Sequence, residues 1–238
     1  MKLSIVIPCY NEERNIPLIL ERFAAVITRD DVEVILVDNG STDGSAGVLS
    51  KLLPGHAFAR SVRVPVNQGY GYGILEGLRE ATGMFIGWTH ADMQTDPRDT
   101  IIALEIIEVR GGGADLFLKG NRKGRSLFDV FFTVGMSVFE STYLGRALWD
   151  INAQPNIFHR EFFAGWSDPP HDFSLDLYAL YQARSSSMTV VRFPVRFPKR
   201  IHGVSSWNTG LAAKWKFIKR TIEFSTRLKG SMSRRRSG

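Results

Sequence analysis

The run His90-Ala91-Asp92-Met93-Gln94-Thr95-Asp96-Pro97 follows a short apolar stretch and places His90, Asp92, Gln94 and Asp96 at alternate positions, where they can share one side. Hard divalent cations bound to phosphates take oxygen ligands. Asp92, with Gln94 offering an amide carbonyl, therefore suits Mg²⁺ or Mn²⁺ bridging a diphosphate, and the imidazole of His90 tilts the choice towards Mn²⁺. Asp96 reads differently, as a cap for a following helix with Pro97 at its first position. Asp38 ends another apolar run and is followed by the turn-formers Asn39-Gly40-Ser41. Its carboxylate is placed to accept hydrogen bonds from a ligand's ring NH or hydroxyl groups, or simply to form a turn. The segment 67–73, Asn-Gln-Gly-Tyr-Gly-Tyr-Gly, has only a superficial likeness to a dinucleotide fingerprint. Its spacing fits a close approach of backbone to a ligand at a helix start instead.

These clusters need elements to hold them. Apolar periodicity predicts strands at 3–8, 34–37, 62–64 and 84–88, with helices at 16–27, 45–53 and 72–81 between them. Strands alternating with helices imply an α/β fold with a mostly parallel, Rossmann-like sheet whose ligands bind beyond the carboxyl ends of the strands. Tyr10-Asn11-Glu12, Asp38-Asn39-Gly40-Ser41 and His90-Ala91-Asp92 all stand at such ends and are expected to line one crevice. Beyond Pro97 the pattern gives a helix to about 109, a strand at 114–118, a long helix at 126–148, a strand near 156–159, a helix at 173–183 and a strand at 188–195. Residues 211–228 form an amphipathic helix, with Leu211, Trp215, Phe217, Ile218, Ile222, Phe224 and Leu228 on its apolar face.

The ordered set IVIPCYNEE, LVDNGSTDG, NQGYGYGILEGL and HADMQTDP resembles the inverting glycosyltransferases of family two, which have the GT-A nucleotide-diphospho-sugar fold. Within that family it is most similar to the dolichyl- or polyprenyl-phosphate sugar synthases. The resemblance covers about residues 1–207. It implies that Pro8, Tyr10, Glu12, Asp38 and Gly69 line a nucleotide pocket and that Asp92, Gln94 and His90 hold the metal, His90 standing where the family usually has Asp. It also implies that Arg122 meets the phosphates, with Lys123 and Arg125 as alternatives. Asp150 occupies the place of an acceptor-side aspartate element, here without its Ser-Gly. Asp176, in Phe173-Ser174-Leu175-Asp176, opens a helix near the acceptor, and either it or Asp172 is a candidate base for a hydroxyl acceptor. Arg200 begins an element whose cations meet pyrophosphate and acceptor phosphate; Ser206 stands where a Lys is usual, with Lys214 or His202 as candidate replacements.

The chain's 238 residues carry 30 Lys+Arg against 24 Asp+Glu, and residues 199–238 hold 11 of those basic groups with Glu223 as their single acid. The basic character is a C-terminal property, suited to an anionic membrane or a phosphorylated ligand. No nucleic-acid-binding motif accompanies it, so nucleic acid is not an expected partner. One cysteine, Cys9, excludes an intrachain disulfide and points to a reducing, cytoplasmic compartment. The apolar run before Pro8 is too short for a signal-peptide core, so the chain is expected to start inside its fold. The length fits one domain over 1–230, with a nucleotide-sugar half (1–110) and an acceptor half (111–230), followed by a disordered basic tail at 231–238. The expected activity is metal-dependent sugar transfer from a UDP- or GDP-sugar to a polyprenyl phosphate, by a peripheral enzyme on the cytoplasmic face of a membrane. Transfer to a glycan hydroxyl and non-catalytic nucleotide-sugar binding are the alternatives.

Overall fold

β1 (Leu3–Cys9) and β2 (Val32–Asn39) are nearly unbroken runs of branched aliphatics, and every residue of β2 is buried. Strands covered on both faces require that composition. The structure, a computed structural model, describes residues 1–125, 127–198 and 211–236. Between β1 and β2, α1 (Ile16–Val26) buries Ile16, Ile19, Leu20 and Phe23, the i, i+3, i+4, i+7 stripe of a helix lying on a sheet. α2 (Ser45–Leu52), β3 (Ala59–Val64), α3 (Tyr70–Glu80), β4 (Phe85–Trp88) and α4 (Arg98–Val109) continue the alternation.

The second half adds β5 (Leu116–Lys123), α5 (Leu127–Leu144), β6 (Asn156–His159), α6 (Arg160–Ala164), α7 (Leu175–Ser185), β7 (Thr189–Arg196) and α8 (Leu211–Arg236). The seven strands form one sheet in the order β3-β2-β1-β4-β6-β5-β7. β6 alone runs antiparallel to its neighbours β4 and β5. Alternate side chains divide between two cores. Ile5, Ile7 and Leu36 face α1, α2 and α4, while Val6, Ile35, Val37 and Trp88 face α3 and α7. Gly77 lets α3 approach the sheet, since a Cβ there has no room beside Val6 and Val37.

The sequence pattern does not predict the short helix α6, and three further departures have a clear physical cause. β3 begins at Ala59 rather than 62, because Ala59 to Ser61 pair in register with Val34 to Leu36 despite their modest strand propensity. β5 carries the polar residues Lys119 to Lys123 well past 118, held by an unbroken parallel ladder to β7. α8 continues to Arg236, through most of the segment expected to be a disordered tail, since no proline interrupts it and extending a helix is cheap once nucleated. The expected apolar face of α8 is also divided: Phe224 and Leu228 dock on the core, whereas Trp215 and Ile222 are exposed. Among the described residues, no helix is long and apolar enough to cross a membrane.

The start of α4 carries a testable feature. Asp96 accepts the Arg98 N–H at 2.9 Å, but the N-cap is Pro97, which the sequence pattern places at the first helical position. Asp99, one turn in, is buried, and its Oδ2 has no partner among the described residues. Burial, then the nearby Asp96 charge, push its pKa up to about 6. The folded form therefore holds a proton that the unfolded chain has released, and this group's contribution is lost as pH rises from about 4 through 6. Asp99→Asn is expected to match the native chain at pH 4 and to exceed it by about 1–2 kcal/mol at pH 8 in urea unfolding. Equal stabilities at pH 8 would refute the assignment.

Candidate functional site

The sheet register brings the sequence clusters together. Cys9 pairs with Asp38, and Val6 pairs with Trp88, so β2, β1 and β4 end side by side on one edge. At a strand spacing of ~4.8 Å, the ends of β2 and β4 stand about 10 Å apart across β1. The loops after β1 and β2 are bonded to each other. Asn11 N–H donates to Ser41 Oγ (3.1 Å), Thr42 N–H to Asn11 Oδ1 (2.8 Å) and Glu12 N–H to Ser45 Oγ (2.9 Å). Asn11 takes φ 57°, a left-handed conformation that Asn tolerates better than most residues. Asp38 is buried, and its Oδ1 accepts the Ser41 N–H at 3.0 Å, so the carboxylate also forms the turn. Burial, followed by the Glu12 and Asp38 charges, raises the Cys9 thiol pKa, which places both carboxylates near the end of β1. Pro8 pairs with Val37 in the same ladder, and Tyr10 stands half exposed at the rim.

Gly69, from the glycine-rich segment 67–73, joins this edge. Asn39 Nδ2 donates to its carbonyl at 3.0 Å, and its φ of 115° with the His171 carbonyl against it leaves no place for a side chain. After β4, the loop is pinned at its base by Thr89 Oγ1 donating to Thr95 Oγ1 (2.9 Å) and anchored by buried Ala91 and Met93. Met93 has φ 62°, the tight point of the turn. Asp92 is 7% exposed, and its Oδ1 accepts the Gln94 N–H at 3.1 Å. Gln94 Nε2 donates to the Pro198 carbonyl at 2.8 Å. Beneath His90 lies Tyr70, its ring centroid 6.0 Å away; Tyr70 stacks on Phe173 at 4.6 Å and accepts a hydrogen bond from Gln154 Nε2 at 2.5 Å.

No group of three His, Cys, Asp or Glu side chains arranged to hold a metal exists among the described residues. A site with Asp92 as its one carboxylate does fit Mg²⁺ or Mn²⁺, because such ions are commonly held by one or two carboxylates with substrate phosphates completing the shell. His90, Asp92 and Gln94 would hold the ion here.

In the second half, Arg122 lies at the corresponding end of β5. Its Nε and Nη2 donate to Asp150 Oδ1 at 2.9 and 2.5 Å, its N–H donates to Asp150 Oδ2 at 3.0 Å, and Arg125 adds a contact at 3.6 Å. Burial would raise the Asp150 carboxyl, but the Arg122 charge and hydrogen bonds outweigh it and hold the pKa below the usual range. Asp150, expected on the acceptor side, is 1% exposed and paired with Arg122. Asp176, expected near the acceptor, is 2% exposed, and its Oδ1 accepts from Trp88 Nε1 (3.2 Å) and Asn156 Nδ2 (2.8 Å). Burial raises its pKa against the pull of Lys119 and His90. Asp172 accepts the Ser174 N–H in the turn before α7 (2.8 Å) and pairs with Arg220 (3.3 Å). Arg200, His202 and Ser206 lie outside the described residues, as does the side chain of Lys214.

Residues 4–111 match the model of glycosyl transferase family 2. This segment belongs to that family. It takes in every donor-side loop just described, and Arg122, Asp150 and Asp176 lie beyond it. An undecaprenyl-phosphate 4-deoxy-4-formamido-L-arabinose transferase of Yersinia pestis is 32% identical over 165 residues, 67% of this chain and 49% of that protein. The chain spans about a third to a half of the length of the curated relatives it matches. Among solved structures, glucosyl-3-phosphoglycerate synthase from Mycobacterium tuberculosis with bound UDP superposes with TM-score 0.70 at 17% identity, over 96% of this chain and 80% of that one. A mannosyltransferase from Pyrobaculum calidifontis, in complex with GDP-mannose and Mn²⁺, gives 0.64 at 20% identity, over 84% and 58%. These likenesses establish the GT-A fold.

Around the family 2 segment, sequence reasoning missed Tyr70, Gln154 and Lys119. Tyr70 was visible only as part of a glycine-rich stretch. Gln154 and Lys119 act through partners distant in sequence, which spacing does not reveal.

Proposed function

We propose that this chain transfers a sugar from a nucleotide-diphospho-sugar to a polyprenyl phosphate, with inversion at the anomeric carbon. The observation that carries the reading is the convergence of Asp38 and the Asp92 loop on one sheet edge, flanking the end of β1. Asp38 would receive the nucleoside, with Tyr10 at the rim and Glu12 beside the first turn. His90, Asp92 and Gln94 would hold Mg²⁺ or Mn²⁺, which when bound neutralises the charge that builds on the departing diphosphate. Arg122, fixed by Asp150, is aimed from β5 as a second positive group. Arg200 would belong to the same phosphate-binding set.

The acceptor class follows from what the acidic residues are doing. Asp150 and Asp176 are buried and bonded, and Asp172 holds a turn N–H and pairs with Arg220, so each of these carboxylates is already engaged within the protein. A phosphate arrives already ionised. One of its oxygens attacks the anomeric carbon, the bond from that carbon to the β-phosphate oxygen breaks, and the nucleoside diphosphate leaves with the electron pair. The printed names of the relatives, undecaprenyl-phosphate transferases, agree with this choice. A membrane surface suits both helices: α5 exposes Leu127, Phe131 and Val138, and α8 carries Lys219, Arg220, Arg227 and Lys229. Each such cation near an anionic leaflet adds about 1 kcal/mol of attraction. We assign the protein to the cytoplasmic face on this basis.

The test is incubation with radiolabelled UDP- and GDP-sugars, polyprenyl phosphate and Mg²⁺ or Mn²⁺, followed by organic extraction. Label is expected in the lipid phase with one nucleotide series. Label that reaches only a water-soluble glycan would establish a hydroxyl acceptor instead.

A further inference from the structure

A cavity of about 650 Å³ opens behind the 167–172 loop, between α7 and α8. It shares no lining residue with the loops that follow β1, β2 and β4, and its size falls within the roughly 300–1,000 Å³ typical of small-molecule sites. Tyr178, Tyr181, Phe224 and Leu228, all buried in the adjoining core, supply apolar wall. Arg146, from the turn after α5, and Arg227, on α8 with its guanidinium over the Phe224 ring, also line it, as do Gln182 and Ser185 of α7.

The polar groups in this wall are not all satisfied. Arg146 Nη1 donates to the Gly145 carbonyl at 3.2 Å, but its Nε is buried with no partner among the described residues, and Ser185 Oγ is in the same condition. Buried donors without partners are uncommon in folded proteins and call for an explanation, which a bound ligand here would supply. The charge balance selects its sign. Asp172 is committed to Arg220 and to the Ser174 N–H, which leaves Asp168 at the exposed rim against the two arginines. A hydroxyl-rich ring suits Gln182, Ser185 and the aromatic wall, and one anionic group suits the arginines.

We propose that this cavity binds a sugar bearing one anionic substituent, a carboxylate or a phosphate, at a site separate from the strand-edge cleft. The loop that forms its lip also touches the cleft: Tyr72 N–H donates to the His171 carbonyl at 3.0 Å, and Gly69 and Gly71 pack on the 170–172 backbone. An occupant is thereby linked to Tyr70 and His90.

Titration calorimetry with glucuronate and with glucose 6-phosphate tests this without turnover, so its outcome is independent of the transferase reading. Saturable binding of one or both is expected in the native chain and in Asp92→Ala. Binding is expected to weaken by about tenfold or more in Arg146→Gln/Arg227→Gln, since hydrogen bonds to charged groups are the stronger ones. Ser185→Leu, which fills the cavity without altering a charge, is expected to lose binding too and serves if the double variant does not fold. Absence of binding by both sugars overturns the proposal. So does binding that is lost in Asp92→Ala but kept in the cavity variants, because the ligand is then in the cleft.

Discussion

Asp92→Ala is expected to lower sugar transfer by about 10³-fold while leaving the circular dichroism spectrum and unfolding midpoint close to native, because removing one preorganised charge-stabilising group typically costs 10²–10³ and a metal ligand contributes several kcal/mol. The loop offers little else that could hold the ion. No three-carboxylate or histidine cage exists among the described residues, so the ion would be held by one protein carboxylate, His90, Gln94 and the donor's own phosphates. The loop's conformation does not depend strongly on the carboxylate. Met93 and Ala91 anchor it in the core, and Thr89 and Thr95 close its base. The replacement removes the Gln94 N–H acceptor, a partly buried bond whose net loss is about 1 kcal/mol. Mn²⁺ titration followed by electron paramagnetic resonance, in the presence of nucleoside diphosphate, separates the two effects: the bound-ion signal is expected in the native chain and absent in the variant. Native transfer rates in Asp92→Ala would remove the metal from this loop.

The parts of the molecule that were legible in sequence are those whose signals are local. β1, β2 and β4 announce themselves as short aliphatic runs. Asp96-Pro97 marks a helix start because the Asp96 hydrogen bond and the fixed φ of proline act within three residues. The three strand-end clusters were read as converging because parallel topology permits little else, and the Cys9–Asp38 and Val6–Trp88 registers agree. The family resemblance assigned roles to Asp150 and Asp176 but could not show the partners they take within the fold. Asp150 meets Arg122 across 28 positions, and Asp176 meets Trp88 across 88. No periodicity encodes such pairings. β5 was cut short for the same reason, since Lys119 to Lys123 are strand residues only because β7 lies beside them. α8 shows the converse: its pattern gave a helix with one broad apolar face, whereas packing against α5 takes Phe224, Ser225 and Leu228 and leaves Trp215 and Ile222 outside.

Lys119→Met is expected to destabilise the fold by about 3 kcal/mol at pH 7, the largest effect on stability anticipated here, since leaving buried partners unpaired costs about 1–3 kcal/mol each. Lys119 is fully buried, and its Nζ donates to the Ala153 carbonyl (2.8 Å) and Asn156 Oδ1 (2.5 Å). Asn156 in turn donates to Asp176, which also takes the Trp88 indole, so one network ties β5, β6, α7 and β4 beneath the Asp92 loop. Methionine preserves the volume and removes the donors. Titration adds a signature that cavity formation lacks. Burial lowers the Lys119 pKa from the usual 10.5 to about 7 despite the pull of Asp176. Between those values the unfolded chain binds a proton that the folded chain does not, so this group makes the native protein more stable as pH rises from about 7 towards 10 and contributes no pH dependence below. Lys119→Met lacks that rise, and the stability gap measured by urea unfolding is expected to widen from pH 7 to pH 9. A gap that is constant across this range would mean that the amine stays charged inside the fold, and a gap near zero would mean that Asn156 and Asp176 are held without it.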